Sequence, residues 1–245
     1  MSDIDALINE LVLANRILAS QGVVDAFGHV SARNPDNPKR FFLSRSRSPE
    51  QVEHFDIMEF DFEGKATDGR SDPAYHERFI HCGVYEAYPA INAVVHSHAL
   101  EVLPFSISSV PLRPCIHTAS ACGETIPVWD IREKFGDTGM LVANVEHGRD
   151  LAKAMAGNKI ALMRGHGFTA AGRTLGEVLK LSIYVPQNAR VQKEAMQLGG
   201  EVKFMSPGEL AMREADVPGG KDLYRAMSYW ANKAGCGHML EYKKR

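Results

Sequence analysis

Two imidazoles stand two residues apart at the end of an apolar run, in Val94-Val95-His96-Ser97-His98-Ala99-Leu100. Residues i and i+2 of a strand point to the same face, whereas on a helix they diverge by roughly 200°. If the run is a strand, His96 and His98 can both address one point just beyond its end. Imidazole is a favoured ligand of zinc and other divalent transition metals. The competing reading is two unrelated loop histidines, and the short motif by itself leaves both open. A third histidine strengthens the metal reading. Met163-Arg164-Gly165-His166-Gly167-Phe168 sets His166 between glycines, directly after another apolar run, and glycine lets backbone come close to a site. Three histidines with open positions describe a catalytic metal rather than a closed structural one. A hydrolase of the HxHxDH type is excluded, because Leu100 and Glu101 stand where it needs aspartate and histidine.

A carboxylate lies upstream in Tyr75-His76-Glu77-Arg78-Phe79-Ile80-His81. Glu77 and His81, four apart, share a face if this segment is helical. A glutamate seen alone is by default a solvated charge. His81 either orients a ligand from behind or simply packs. His54 and His147 have no such context and are expected at the surface.

The elements that must position these groups follow from periodicity. Ile4, Leu7, Ile8, Leu11, Val12 and Ile17 mark an amphipathic helix that Gly22 is placed to end. Residues 28–64 read as short strands and turns, with Met58, Phe60 and Phe62 alternating against Glu59 and Asp61. A helix is predicted from Ala74 to Ala87, barred from continuing by Pro89. Ile91 to His96, Gly139 to Val145 and Lys159 to Met163 read as strands, with a helix from Gly148 to Ala156. Thr174 and Glu177 form a capping box that opens a long helix, which Pro186 should kink. Ser206 and Glu209 form a second box with Pro207 at the first helical position. Asp222 to Ala234 reads as a helix carrying Tyr229 and Trp230. One α/β domain over residues 1–245, with a mostly antiparallel sheet and a helical tail from about 206, fits this order.

The glutamate, the HxH nineteen residues later and the much later Gly165-His166-Gly167 together resemble the class II aldolase/adducin family. The likeness runs from Gly28-His29-Val30-Ser31-Ala32-Arg33 through the helix after Thr174, and Pro89 falls at the family's pre-strand proline. It implies a three-layer α/β/α fold and a homotetramer with active sites at subunit contacts. It also implies one divalent ion per subunit on His96, His98 and His166, with Glu77 as acid/base. Zn, Mn, Co and Fe all suit three histidines. The tail helix with Tyr229 then either covers a neighbour's site or packs in the core.

Departures bear on substrate. His29 stands where sugar-phosphate aldolases of the family carry asparagine, Tyr75-His76 replaces their Ser-Ser pair, and Thr118, after Ile116-His117, replaces a tyrosine. The phosphate pocket is therefore lost. The segments ERFIH, AVVHSH and DIREKFGDTGMLV instead resemble a decarboxylase branch. That branch acts on hydroxylated aromatic or ring-derived carboxylates, such as 3,4-dihydroxyphthalate or a hydroxymethylpyridine dicarboxylate. A small di- or polycarboxylate needs an anion clamp. Ser44, Arg45 and Arg47 in Ser44-Arg45-Ser46-Arg47-Ser48, together with Arg164, His29 and Ser31, are the candidates. The alternative for the arginines is a solvated loop. His117 is a further candidate proton or hydrogen-bond donor. An aldolase for a non-phosphorylated hydroxy-aldehyde is the runner-up, and a non-catalytic adducin-like scaffold the third reading.

Composition sets the outer bounds. With 245 residues, 44% of them hydrophobic, the chain can bury a sizeable core. A net charge of −2 gives no footprint for nucleic acid or an anionic membrane. Four cysteines without a CxxC pair suit a reducing cytoplasm. The opening MSDIDALINELVLANRILASQG lacks a basic n-region, so no secretory leader is expected there.

Overall fold

A computed structural model describes residues 3–215 and 221–240 of the chain. Its helices are α1 (Asp3–Ser20), α2 (Arg78–Ala87), α3 (Leu103–Ser106), α4 (Ile131–Phe135), α5 (Val145–Met155), α6 (Leu175–Gln197), α7 (Pro207–Ala215) and α8 (Lys221–Lys233). Its strands are β1 (His29–Arg33), β2 (Arg40–Ser44), β3 (Ile57–Asp61), β4 (Ala93–Ser97), β5 (Val128–Trp129), β6 (Ile160–Met163) and β7 (Gly167–Gly172). The strands form one sheet in the order β3-β2-β1-β4-β7-β6-β5. Every pairing is antiparallel except that of β5 with β6.

Alternation along the central strands divides the core into two layers, as period-2 side chains require. Val30, Ala32, Ala93, Val95, Leu162 and Ala170 face Leu11, Leu18, Val178 and Trp230 of α1, α6 and α8. Phe41, Leu43, Val94, Ala161 and Ala171 face Ile80, Val84 and Leu151 of α2 and α5. Each fully buried leucine or isoleucine here is worth about 1.5–3 kcal/mol. The result is the expected three-layer α/β/α arrangement. Because Val95 points to the α1/α6 side, His96 is turned to the α2/α5 side, where Glu77 lies. Among the described residues no helix is long and apolar enough to cross a membrane.

The two helices over the site touch glycine to glycine. A Cβ on Gly148 would lie 2.0 Å from the Phe79 carbonyl oxygen, and one on Gly83 would lie 2.2 Å from the Gly148 backbone. Gly148→Ala must therefore push α2 and α5 apart, and with them Glu77 and the loop ahead of α5. Urea titration should show a loss of about 1–3 kcal/mol, and turnover should fall further than stability explains. A variant as stable and active as the parent would contradict this packing.

Several sequence expectations shift. Gly139 to Val145 is not a strand; Met140 adopts a φ of 65°, and the segment gives its backbone groups to the site instead of a ladder. The sheet edge is made by the short β5, which periodicity missed. The helix expected from Ala74 starts at Arg78, because Ala74 is bridged to Arg45 and Glu77 occupies the N-cap position. The helix expected from Gly148 begins at Val145, with the Asn144 side chain accepting from the His147 amide. Helix α6 runs as one 23-residue element through Pro186. The Ser206/Glu209 box is reciprocal, with Glu209 accepting from the Ser206 amide, whereas at α6 Thr174 accepts from the Glu177 amide and Glu177 accepts one residue earlier, from the Arg173 amide. The tail expected over 206–245 is described as α7, α8 and a final turn, and its residues 216–220 and 241–245 lie outside the described part.

Candidate metal centre

β4 carries His96 at its penultimate position and delivers His98 just beyond its end. The turn between β6 and β7 delivers His166. Gly165 takes a φ of 63° in that turn, and a Cβ on Gly167 would sit 1.9 Å from the Ser97 carbonyl oxygen. The glycines thus allow the turn to close onto β4. His96 Nε2 and His98 Nε2 are 3.0 Å apart, and His98 Nε2 and His166 Nε2 are 3.1 Å apart. Glu77 Oε2 lies 3.4 Å from His96 Nε2, 3.9 Å from His98 Nε2 and 3.3 Å from His166 Nε2. All four ligand atoms fall within 4.8 Å of one another.

The other ring nitrogen of each histidine fixes its proton. His96 Nδ1 is 3.2 Å from the Phe168 carbonyl, His166 Nδ1 is 3.2 Å from the Met140 carbonyl, and His98 Nδ1 is 3.2 Å from Asp25 Oδ1. Each of these partners can only accept, so each Nδ1 carries the hydrogen and each Nε2 offers a lone pair. Three lone pairs and a carboxylate oxygen facing one another are mutually repulsive unless a cation sits among them. Ligands about 2.1 Å from a common tetrahedral centre stand about 3.4 Å apart, which matches these separations. The donor set therefore fits a divalent metal. Second partners on the far nitrogens are what such ligands need to hold tautomer and orientation.

Glu77 is fixed at both oxygens, since Oε1 accepts from the Val142 amide at 2.9 Å. Burial works against its charge, and positive charge at the His166 and His96 positions, which a bound cation would supply once the rings offer lone pairs, holds the carboxyl well below the usual range. Burial also opposes the charge of Asp25, while the amides of Phe27 and Gly28 and the His98 ring hold its carboxyl below the usual value.

His81 does not touch the cluster. It is fully buried on the inner face of α2, with Nε2 2.7 Å from His29 Nδ1 and Nδ1 2.6 Å from Ser31 Oγ. The His29 ring lies 5.2 Å from His96 and 4.6 Å from Tyr75, centre to centre. Burial drives both imidazoles neutral: the His81 pKa falls to about 3 and that of His29 moves well below its ordinary value. A histidine whose folded pKa is depressed contributes stability that is present above the unfolded value of about 6.5 and lost as pH falls below it. From His81 alone, about 2 kcal/mol should be gone at pH 5 relative to pH 8. Urea midpoints across that range check this, and a flat profile would contradict it.

The remaining predicted residues divide. Tyr75 hydroxyl bonds the Arg47 carbonyl and lies 3.4 Å from Ser44 Oγ. Tyr75 thereby joins the Ser44–Arg47 loop to His29 and the cluster. Arg45 Nε and Arg47 Nε lie 2.6 and 3.3 Å from the two oxygens of Asp56, a carboxylate with no exposure. Arg45 also feels Asp72, which Arg70 pairs at 3.0 Å, so three guanidinium groups share two carboxylates and leave a surplus positive charge. Arg164 pairs with Asp130 at 2.6 Å. His117 is exposed at the start of a 3-10 turn, His117–Cys122, and no described contact links it to the cluster. Tyr229 is 62% exposed on α8, on the layer opposite α2, whereas its neighbour Trp230 is packed beside Tyr184. His54 is exposed, as expected. His147 is not simply a surface residue: it is half-buried, its Nδ1 lies 3.3 Å from both the Ala143 amide and the Leu141 carbonyl, and it braces the loop that holds Glu77.

Fold and site together define a lyase of the class II aldolase type. The class II aldolase and adducin N-terminal domain matches residues 9–193, and the chain belongs to that family. It is 34% identical over 242 residues to decarboxylase tropJ of Talaromyces stipitatus, spanning 90% of this chain and 91% of that protein. To 3,4-dihydroxyphthalate decarboxylase of Arthrobacter keyseri it is 28% identical over 211 residues, spanning 82% and 83%. An aldolase II superfamily protein from Pseudomonas syringae superposes with a TM-score of 0.79 at 17% identity, over 98% of this chain and 96% of that one, a likeness of fold. Within the family the chain sides with the decarboxylase branch and is a carbon–carbon lyase.

Proposed function

We propose that the protein is a metal-dependent, non-oxidative decarboxylase of an ortho-hydroxylated aromatic, or ring-cleavage-derived, di- or polycarboxylate such as 3,4-dihydroxyphthalate. The observation that carries the reading is the convergence of three imidazole lone pairs and Glu77 Oε2 on one point. A divalent ion held by His96, His98 and His166 supplies positive charge beside the oxygen that takes up electrons as a carbon–carbon bond breaks. Loss of CO2 consumes one proton at the ring carbon. Glu77 is the carrier: it takes the proton of the substrate's ring hydroxyl and delivers it to the carbon that loses CO2. Its anchorage on Val142 keeps the carboxyl at one place through both transfers.

The substrate's second carboxylate is assigned to the surplus charge of Arg45 and Arg47, with Ser44 beside them and Arg164 at the turn carrying His166. His29 and Ser31 line the wall under α2. His117 and Tyr229, which make no described contact with the cluster within one chain, are assigned to the site of a neighbouring subunit. The protein is proposed to be a homotetramer with sites at subunit contacts, a reading supported by exposed Leu100, Ile107 and Leu198 at 75%, 65% and 88%. The aldolase reading for a non-phosphorylated hydroxy-aldehyde uses the same cluster, and 29% identity over 209 residues to an L-fuculose phosphate aldolase of Escherichia coli supports it as the second reading.

Metal-loaded protein incubated with 3,4-dihydroxyphthalate should release CO2 in step with loss of one carboxylate from the ring. A panel in which hydroxy-aldehydes are cleaved while no carboxylate yields CO2 would reverse the order of the two readings.

A further inference from the structure

Between β1 and α2 runs a buried polar chain whose inner members, His81 and Tyr85, the proposed chemistry leaves idle. His29 Nδ1 meets His81 Nε2 at 2.7 Å, His81 Nδ1 meets Ser31 Oγ at 2.6 Å, and Ser31 Oγ meets the Tyr85 hydroxyl at 2.8 Å. All four residues are at most 1% exposed. Four linked groups with one proton each can be ordered in two directions, and the inner end decides between them. The Tyr85 hydroxyl has Ser31 Oγ as its one hydrogen-bond partner among the described residues. Ser31 is therefore the acceptor available to the Tyr85 hydrogen. If the chain ran the other way, the Tyr85 O–H would be unpaired in the core, a state buried polar groups avoid.

The order is therefore Tyr85 O–H to Ser31 Oγ, Ser31 O–H to His81 Nδ1, and His81 Nε2–H to His29 Nδ1. The proton left over sits on His29 Nε2, the ring nitrogen outside the chain. His29 faces His96 across the β1–β4 pairing, and its ring stands between Tyr75 and His96. We infer that Tyr85, Ser31 and His81 are positioning residues that lock His29 as the Nε2–H tautomer, so that the site offers a neutral N–H donor to a substrate oxygen beside the metal cluster. This rests on the reading of the site as one that handles carboxylates or hydroxyls. A locked donor accepts carboxylate or hydroxyl oxygen and disfavours a group that can only donate, so it acts on specificity rather than on the bond-breaking step.

Neutron diffraction from perdeuterated, metal-loaded protein reads the tautomers directly. Deuterium is expected on Nε2 of both His29 and His81 and on neither Nδ1; a deuteron on His29 Nδ1 would overturn the ordering. Tyr85→Phe then tests its use. With metal content and melting temperature as controls, KM for 3,4-dihydroxyphthalate should rise about fivefold, the equivalent of one net hydrogen bond, with kcat nearly unchanged. An unchanged KM would overturn the assignment. If the parent protein turns over no carboxylate, the proposed function fails, and the neutron map still decides the ordering.

Discussion

His96→Ala should remove the bound divalent metal and turnover together. Of the three imidazoles, His96 is the fully buried one, fixed at the end of β4 with its Nδ1 on the Phe168 carbonyl. Its removal leaves two imidazoles on loops and a carboxylate whose Oε2 loses its 3.4 Å neighbour. Altering only the outer partner of a metal-bound histidine weakens binding by roughly 10–100-fold, so loss of the ligand itself should exceed the upper end of that range. Elemental analysis after dialysis should find less than about a tenth of the parental metal at micromolar protein, a conservative bound given that range. Because Val94 and Val95 pin the strand on both faces, the fold should survive. A folded variant that keeps a full equivalent of metal would remove His96 from the centre.

Glu77→Gln should separate the metal from the chemistry. Glutamine keeps the shape and an oxygen for the Val142 amide, and three imidazoles remain. The change deletes the group assigned to move the proton. Positioned acid–base groups contribute typically 10²–10⁴-fold, and kcat should fall by about that factor while metal content stays near one per subunit. The variant should not be rescued by raising substrate concentration, since the loss lies in proton transfer rather than binding. Unchanged kcat would take Glu77 out of the mechanism. Loss of the metal instead would make Glu77 a structural ligand only.

Both predictions turn on residues that were legible in the sequence, for different reasons. His96 and His98 follow from period-2 geometry at a strand end, and His166 from the glycines that let its turn approach Ser97. Glu77 was a candidate from its place just ahead of the strand carrying His96, but its acid/base role came through resemblance to a family, since a lone glutamate near a helix start is by default a solvated charge. What was not legible is what comes from backbone. The Val142 amide and the Met140 carbonyl hold Glu77 and His166, and no side-chain pattern announces them. Their segment was mistaken for a strand because Val142 is buried and its neighbours are apolar. A loop wrapped over a polar site produces the same apolar run as a strand in a core. Asp25 and His147 were missed for a related reason: each acts on a partner distant in sequence or on a loop whose path periodicity cannot trace. The arginines show the reverse case. Arg45 and Arg47 read as free cations, yet the fold gives them Asp56 as a shared counter-ion, and only their surplus charge remains for a ligand.

The account stands on one cation at the meeting point of three Nε2 atoms and Glu77. Anomalous diffraction from crystals of metal-loaded protein, collected above and below the absorption edge, locates that cation without reference to any substrate. One peak per subunit is expected, within about 2.0–2.2 Å of the Nε2 atoms of His96, His98 and His166. A map with no peak there, or with the metal bound elsewhere while the imidazoles stay unliganded, would contradict the account.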